Sequence, residues 1–197
     1  MRTARIVGTT ILFTVVWLAP AGTKAQASSA AKIGFAGGLA LTYDNLTGGD
    51  FDGTKAGAGF DINAGITWKA WQLALGYDRT NHGHEDSDGD FVISNIYLEP
   101  RYLFFADARR WTPYAVARVG RAMASFDESF GGTSDADGWI YGVGAGLLWP
   151  LSGIVQVDVA AHYARVSHDY GDGDYSESEK GNRLGMRAGV RLTRSSK

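Results

Sequence analysis

From about residue 32 onward the chain alternates bulky apolar side chains with small or polar ones, in eight runs separated by turn-forming segments. Such a period of two marks strands with two unlike faces. The clearest run is Trp139-Ile140-Tyr141-Gly142-Val143-Gly144-Ala145-Gly146-Leu147-Leu148-Trp149, with aromatics at both ends and three glycines on its even positions. A strand crossing a bilayer at a tilt needs about 9–11 residues, flanked by aromatics at the two interfaces. The alternation predicts strands over 32–44, 56–68, 71–79, 91–104, 111–123, 138–149, 154–166 and 181–193.

In the first strand Ile33, Phe35, Leu39, Leu41 and Tyr43 share one face, and Gly34, Ala36, Gly38 and Ala40 the other. The second sets Phe60, Ile62, Ile66 and Trp68 against Asp61, Asn63 and Thr67; the third sets Trp71, Leu73, Leu75 and Tyr77 against Gln72, Ala74 and Asp78. The bulky face is the apolar one each time, as contact with lipid selects. The links alternate as well. Lys69-Ala70, Phe105 to Arg110 and Pro150 to Gly153 are short, whereas the others are longer and rich in Asp, Gly and Ser. The expected fold is all-β, an eight-stranded antiparallel up-and-down transmembrane β-barrel with termini and tight turns on the periplasmic side. A soluble lipocalin-like carrier would need the opposite facing, apolar inside and polar outside.

The 197 residues suffice for one such domain. Ahead of it, Arg2 and Arg5 precede the apolar run Ile11 to Ala19, which leads to Ala25-Gln26-Ala27. This is the pattern of a cleaved secretory leader, giving residues 1–27 as signal peptide and 28–197 as the barrel, exported to the bacterial outer membrane. Losing Arg2, Arg5 and Lys24 takes the formal net charge from −2 to about −5. Most of the acids fall in the long links. No cysteine is present, so neither disulfides nor a lipidated cysteine holds the mature chain.

Asp61, Glu99, Arg101, Arg118, Asp158, His162, Arg183, Arg187 and Arg191 all fall on the polar phase of their strands. An eight-stranded barrel is only wide enough to be filled by side chains, so these groups are expected to pair rather than line an open pore. Glu99 and Asp158 are the acids expected to meet arginines drawn from Arg101, Arg118 and Arg187. Arg121 has the opposite parity to Arg118, which suits the outer end of its strand.

Glu99-Pro100-Arg101-Tyr102-Leu103-Phe104, Thr112-Pro113-Tyr114-Ala115-Val116-Ala117-Arg118-Val119-Gly120 and Gly142-Val143-Gly144-Ala145-Gly146 together resemble the OmpA/OmpX-like outer-membrane β-barrel family, over the whole mature chain. The resemblance implies an eight-stranded outer-membrane barrel from a family whose members are anchors, adhesins, complement-evasion proteins or proteins of unknown role. One departure is the ending Val190 to Lys197, where such barrels often finish on an aromatic that the insertion machinery reads; Leu192 is the nearest substitute. No room remains for a peptidoglycan-binding domain.

Asp86-Ser87-Asp88-Gly89-Asp90 is like the opening of a calcium loop, but Phe91 stands where glycine belongs and Tyr97 where the bidentate glutamate belongs. Solubilising acidic tips are favoured over a cation site there, and likewise at Asp172, Asp174, Glu177 and Glu179. His82 and His84 are read as exposed loop histidines rather than metal ligands. His162 follows Asp158 by four residues, about 13 Å along a strand, too far for a dyad. Ser94 has the wrong parity to act as its nucleophile. Trp68, Trp71, Trp111, Trp139 and Trp149 stand near strand ends as interface anchors. Gly142, Gly144 and Gly146 lie in a strand with no helix after them, so they clear space rather than cradle phosphate. The expected role is non-enzymatic, structural or surface-interacting and adhesin-like, with no cofactor. The expected partners are outer-membrane lipid and lipopolysaccharide, the insertion machinery, and divalent cations or a surface ligand, but no nucleic acid. The rival readings are a lipid A-modifying enzyme and a narrow channel.

Overall fold

The computed structural model describes residues 33–51, 53–83, 90–104, 111–127, 133–170 and 177–195. The leader, His84, Asp86, Asp88, Asp172 and Asp174 lie outside these, and Asp90 is described only as the first residue of a strand.

Strands form where alternation places them: β1 (Ile33–Thr47), β2 (Gly57–Trp68), β3 (Trp71–Gly83), β4 (Asp90–Leu103), β5 (Thr112–Asp127), β6 (Thr133–Pro150), β7 (Val155–Tyr170) and β8 (Glu177–Ser195). Each pairs antiparallel with its neighbours in sequence, and β8 closes on β1. Following paired residues once around the wall, from Gly34 through Thr67, Gln72, Arg101, Val116, Gly144, His162 and Gly185, leads back to β1 at Asp44, ten residues from the start. With strands about 4.8 Å apart and a rise of about 3.3 Å per residue, that stagger tilts them by about 40°. Each residue then climbs about 2.5 Å along the axis.

Facing is that of a membrane barrel. Phe60 and Leu73 are exposed on the outer wall, and Val157 is half-buried, while Asp61, Glu99 and Arg187 are enclosed. The soluble-carrier alternative is thereby excluded. Trp68, Trp71, Trp111 and Trp149 stand exposed at the short-turn end, where Trp71 meets Tyr102 edge-on at 5.0 Å. Tyr43, Phe60, Tyr77, Tyr141 and Tyr163, with Trp139 beyond them, form a second outward band about 20 Å further along the axis. The tightest turn is Lys69-Ala70, where Lys69 takes the left-handed conformation at φ 53°.

Several strands outrun their expected ends on the loop side. β3 reaches Gly83 rather than 79, β5 reaches Asp127 rather than 123, and β6 begins at Thr133 rather than 138. Beyond the aromatic band both faces of the wall are polar or mixed, so apolar alternation fades, yet the backbone ladder needs no side-chain pattern and continues. Outward positions there include Asn45, Asn81, Ser125, Asp137 and Arg165, all exposed.

The interior also differs from a purely polar filling. Leu46, Phe51, Phe91, Ile93, Ala124 and Ala136 pack together at its loop end, next to Ala122, Ile140, Ala164 and Val166. Phe51 comes from a short 3-10 turn (Gly49–Phe51) in the link after β1 and folds inward, packing against Gly181. Apolar side chains thus fill the loop end of the interior above the charged layer.

Candidate functional site: an ionic column in the lumen

The inward phase gathers five carboxylates (Asp44, Asp61, Asp78, Glu99, Asp158) and five guanidiniums (Arg101, Arg118, Arg183, Arg187, Arg191) among the described residues, all buried. Glu99, 1% exposed, is their centre. It accepts from Arg101 Nε at 2.6 Å, Arg118 Nη2 at 2.8 Å and Arg187 Nη2 at 2.9 Å. Toward the loops, Arg118 reaches Asp78 at 2.7 Å and Asp61 at 3.4 Å. Arg183 bridges Asp78, at 2.9 Å, to Asp44. Toward the turns, Asp158 takes Arg101 at 3.1 Å and lies 3.9 Å from Arg187. The expected partners of Glu99 are thus all within reach of it, and Asp158 adds Arg191 at 3.8 Å.

His162 turns its Nε2 toward Asp44 at 3.3 Å, not toward Asp158. Asp44, at the edge of its expected strand, and Asp78, on the polar face of β3, complete the column. Asn63 and Asn95 donate to Asp61 and Asp78 at 2.8 and 2.7 Å.

Two tyrosines tie the column to the wall in mirrored fashion. Tyr97 of β4 lies over Gly76, its ladder partner on β3, and hydrogen-bonds Asp61 on β2. Tyr114 of β5 lies over Gly146, its partner on β6, and donates to Asp158 on β7 at 2.5 Å. In each case a Cβ on the glycine would collide with the ring, so bare backbone is what lets the phenol cross one strand to reach the next. The Arg118 guanidinium stacks 3.7 Å from the Tyr97 ring centre, adding a cation–π contact. Neither tyrosine is distinguished by the alternation of its strand alone. The signal was there in Gly146, assigned to clearing space; its beneficiary is Tyr114.

His82 corrects the loop reading. It sits inside β3, buried and stacked on Phe91 at 5.2 Å, with its Nε2 3.0 Å from Thr80 and its Nδ1 3.2 Å from the Lys55 carbonyl oxygen. The inward parity of Asp78 and Thr80 simply runs two residues further than expected. Arg121 is outward and 50% exposed, 3.6 Å from Asp137 and 5.2 Å from the Trp139 ring centre. Ser94 also faces outward, accepting from Tyr77 at 3.2 Å.

The arrangement is a plug. Each of the five carboxylates is engaged by arginine. Burying charges is costly, and only convergent pairing with satisfied hydrogen bonds offsets it, which fixes the column in one geometry. The described residues contain no group of three His, Asp or Glu side chains suited to a metal.

No family model matches this sequence, and no curated protein matches it. Solved structures do. Neisserial surface protein A is similar at 23% identity and a TM-score of 0.56, covering 81% of this chain and 96% of that one. Ail, the attachment invasion locus protein of Yersinia pestis, solved with the heparin analogue sucrose octasulfate, gives 21% identity and a TM-score of 0.48 over 82% of this chain and 98% of that one. The N-terminal β-barrel domain of Pseudomonas aeruginosa OprF gives 16% and 0.45 over 81% and 97%. The first of these likenesses, with the closed sheet and its facing, establishes the fold as that of a small outer-membrane β-barrel.

Proposed function

We propose that this chain works in the bacterial outer membrane as a non-enzymatic barrel, a rigid mount for surface contacts made by the extended loop-side ends of its strands and the links that join them. The observation that carries this reading is the wall itself, which continues beyond the second aromatic band as polar-faced strands above a lumen closed by salt bridges and an apolar cluster. A mount of this kind holds loops at a fixed spacing in water while Trp68, Trp71, Trp111, Trp139 and Trp149 anchor it at the interfaces. The fold likeness to a Neisserial surface protein supports a role at the cell surface. Export by a leader over 1–27, insertion by barrel-assembly machinery, contact with lipopolysaccharide, and divalent cations or a surface ligand at the acidic loops complete the proposal.

Cells displaying the protein are expected to adhere to extracellular matrix or host-cell monolayers more than an isogenic deletion strain, and replacement of residues 128–132 and 171–176 by short Gly-Ser links should remove the gain while heat-modifiable gel mobility persists. Equal adhesion by the three strains would defeat the surface-contact reading. Lipid A from the deletion strain should have an unchanged mass spectrum; an altered one would favour an enzyme.

A channel role makes the opposite demand on the lumen. In planar bilayers with concentrated KCl the purified barrel is expected to give no steady conductance, because Arg118 and Glu99 block the middle of the lumen. Regular unitary steps from the wild-type protein would refute the plug.

A further inference from the structure

The ionic column is balanced as a whole but not along its length. At the loop end Arg183 serves Asp44 and Asp78; in the middle Arg118 and Arg187 span Asp61 and Glu99; at the turn end Asp158 lies between Arg101 and Arg191. At that end the single carboxylate Asp158 faces Arg101 at 3.1 Å, Arg191 at 3.8 Å and Arg187 at 3.9 Å, so guanidiniums locally outnumber carboxylates.

Arg191 carries that surplus. It is 1% exposed, yet its nearest carboxylate oxygen, on Asp158, stands 3.8 Å from Nη1, beyond hydrogen-bond reach. Nη1 and Nη2 both lack a hydrogen-bond partner. Arg101 commits Nε to Glu99 and Nη1 to Asp158, but its Nη2 has no acceptor either. Gln72, the ladder partner of Arg101 on β3 and 2% exposed, satisfies neither end of its amide. Arg101 Nη1 and Arg191 Nη1 lie 3.1 and 3.8 Å from the same Oδ2 of Asp158, which brings the two guanidiniums to one place in the lumen.

Buried donors without acceptors are costly, charged ones most of all. A water molecule would satisfy hydrogen bonds here but leave the extra positive charge; a small anion answers both. We infer that the turn end of the lumen binds a small inorganic anion of single charge, held by Arg191, Arg101 and Gln72. The anion serves the turn-end guanidinium groups that Asp158 leaves without an acceptor, and its binding adds to the stability of the folded barrel. This stands apart from the surface role, which it neither needs nor supports.

Bromide is the probe. The full-length mature protein, crystallised from detergent with sodium bromide, is expected to show an anomalous peak within about 3.5 Å of Arg191 Nη and Arg101 Nη2. No peak there, with an ordered water in its place, overturns the proposal. In solution, exchanging isethionate for bromide at constant ionic strength is expected to raise the wild-type unfolding temperature by a few degrees and leave that of Arg191→Met unchanged. Arg191→Met keeps the Glu99 contacts and removes the surplus charge. An equal rise in both proteins sinks the proposal, as does a crystal peak without any rise in the wild type, which would mean binding at crystal concentration only. Should Arg191→Met fail to fold, the wild-type peak and shift decide the question by themselves.

Discussion

Glu99→Gln is expected to destabilise the detergent-refolded barrel by about 3–5 kcal/mol, the range for removing one charge from a buried ion network. Glutamine preserves the size of the side chain and one carbonyl acceptor, so packing is nearly unchanged. What disappears is the negative charge on which Arg101, Arg118 and Arg187 converge. Three buried guanidiniums are then left to Asp61, Asp78 and Asp158, which already serve Arg183 and Arg191. The comparison is Arg121→Ala. Arg121 pairs with Asp137 at 3.6 Å on the exposed outer wall, and its loss is expected to cost at most about 1 kcal/mol. Urea unfolding followed by tryptophan fluorescence measures both. If Glu99→Gln cost no more than Arg121→Ala, the column would be a passive filling rather than a source of stability.

The second large effect is steric. Gly76→Val places a branched side chain where the Tyr97 ring lies, so the ring must leave and Asp61 loses its phenol donor. Overpacking together with a broken buried hydrogen bond is expected to cost about 2–4 kcal/mol. The telling measurement is the double-mutant cycle. With Tyr97→Ala already in place the ring is gone, and valine at position 76 should cost less than about 1 kcal/mol, giving a coupling well above the few tenths seen for independent sites. Additive losses would mean that Gly76 is needed by its own strand rather than by Tyr97. The mirrored pair Gly146 and Tyr114 should behave alike, with Asp158 as the acid that loses its donor.

Much of this architecture was legible because facing in a strand is a local property. Whether residue 60 or 61 looks at lipid follows from its immediate neighbours, and Phe60 and Asp61 divide as their parity requires. The charges Asp61, Glu99, Arg101, Arg118, Asp158, His162 and Arg187 could be placed on the inner wall for the same reason. Strand ends were harder. His82 reads as a loop residue in the sequence because apolar alternation stops near Tyr77 on the outer face, where the wall leaves hydrocarbon, whereas inward parity runs on through Asp78 and Thr80. Phe51, in a polar link, gave no sign that it would fold over the loop end of the lumen.

The sequence by itself determined the number of strands, their facing, and the enclosure of ionised groups inside a wall just wide enough for side chains to fill. Only the closed structure decided which of those groups meet. Arg183 lies 139 residues from Asp44 and 105 from Asp78, and it reaches both because closure with a stagger of ten residues brings β8 alongside β1 at that height. The same stagger sends Tyr97 across Gly76 and Tyr114 across Gly146. Alternation along a strand repeats every two residues and carries no record of register between distant strands, so pairing across the lumen is fixed only when the whole sheet closes and its buried charges must be neutralised together.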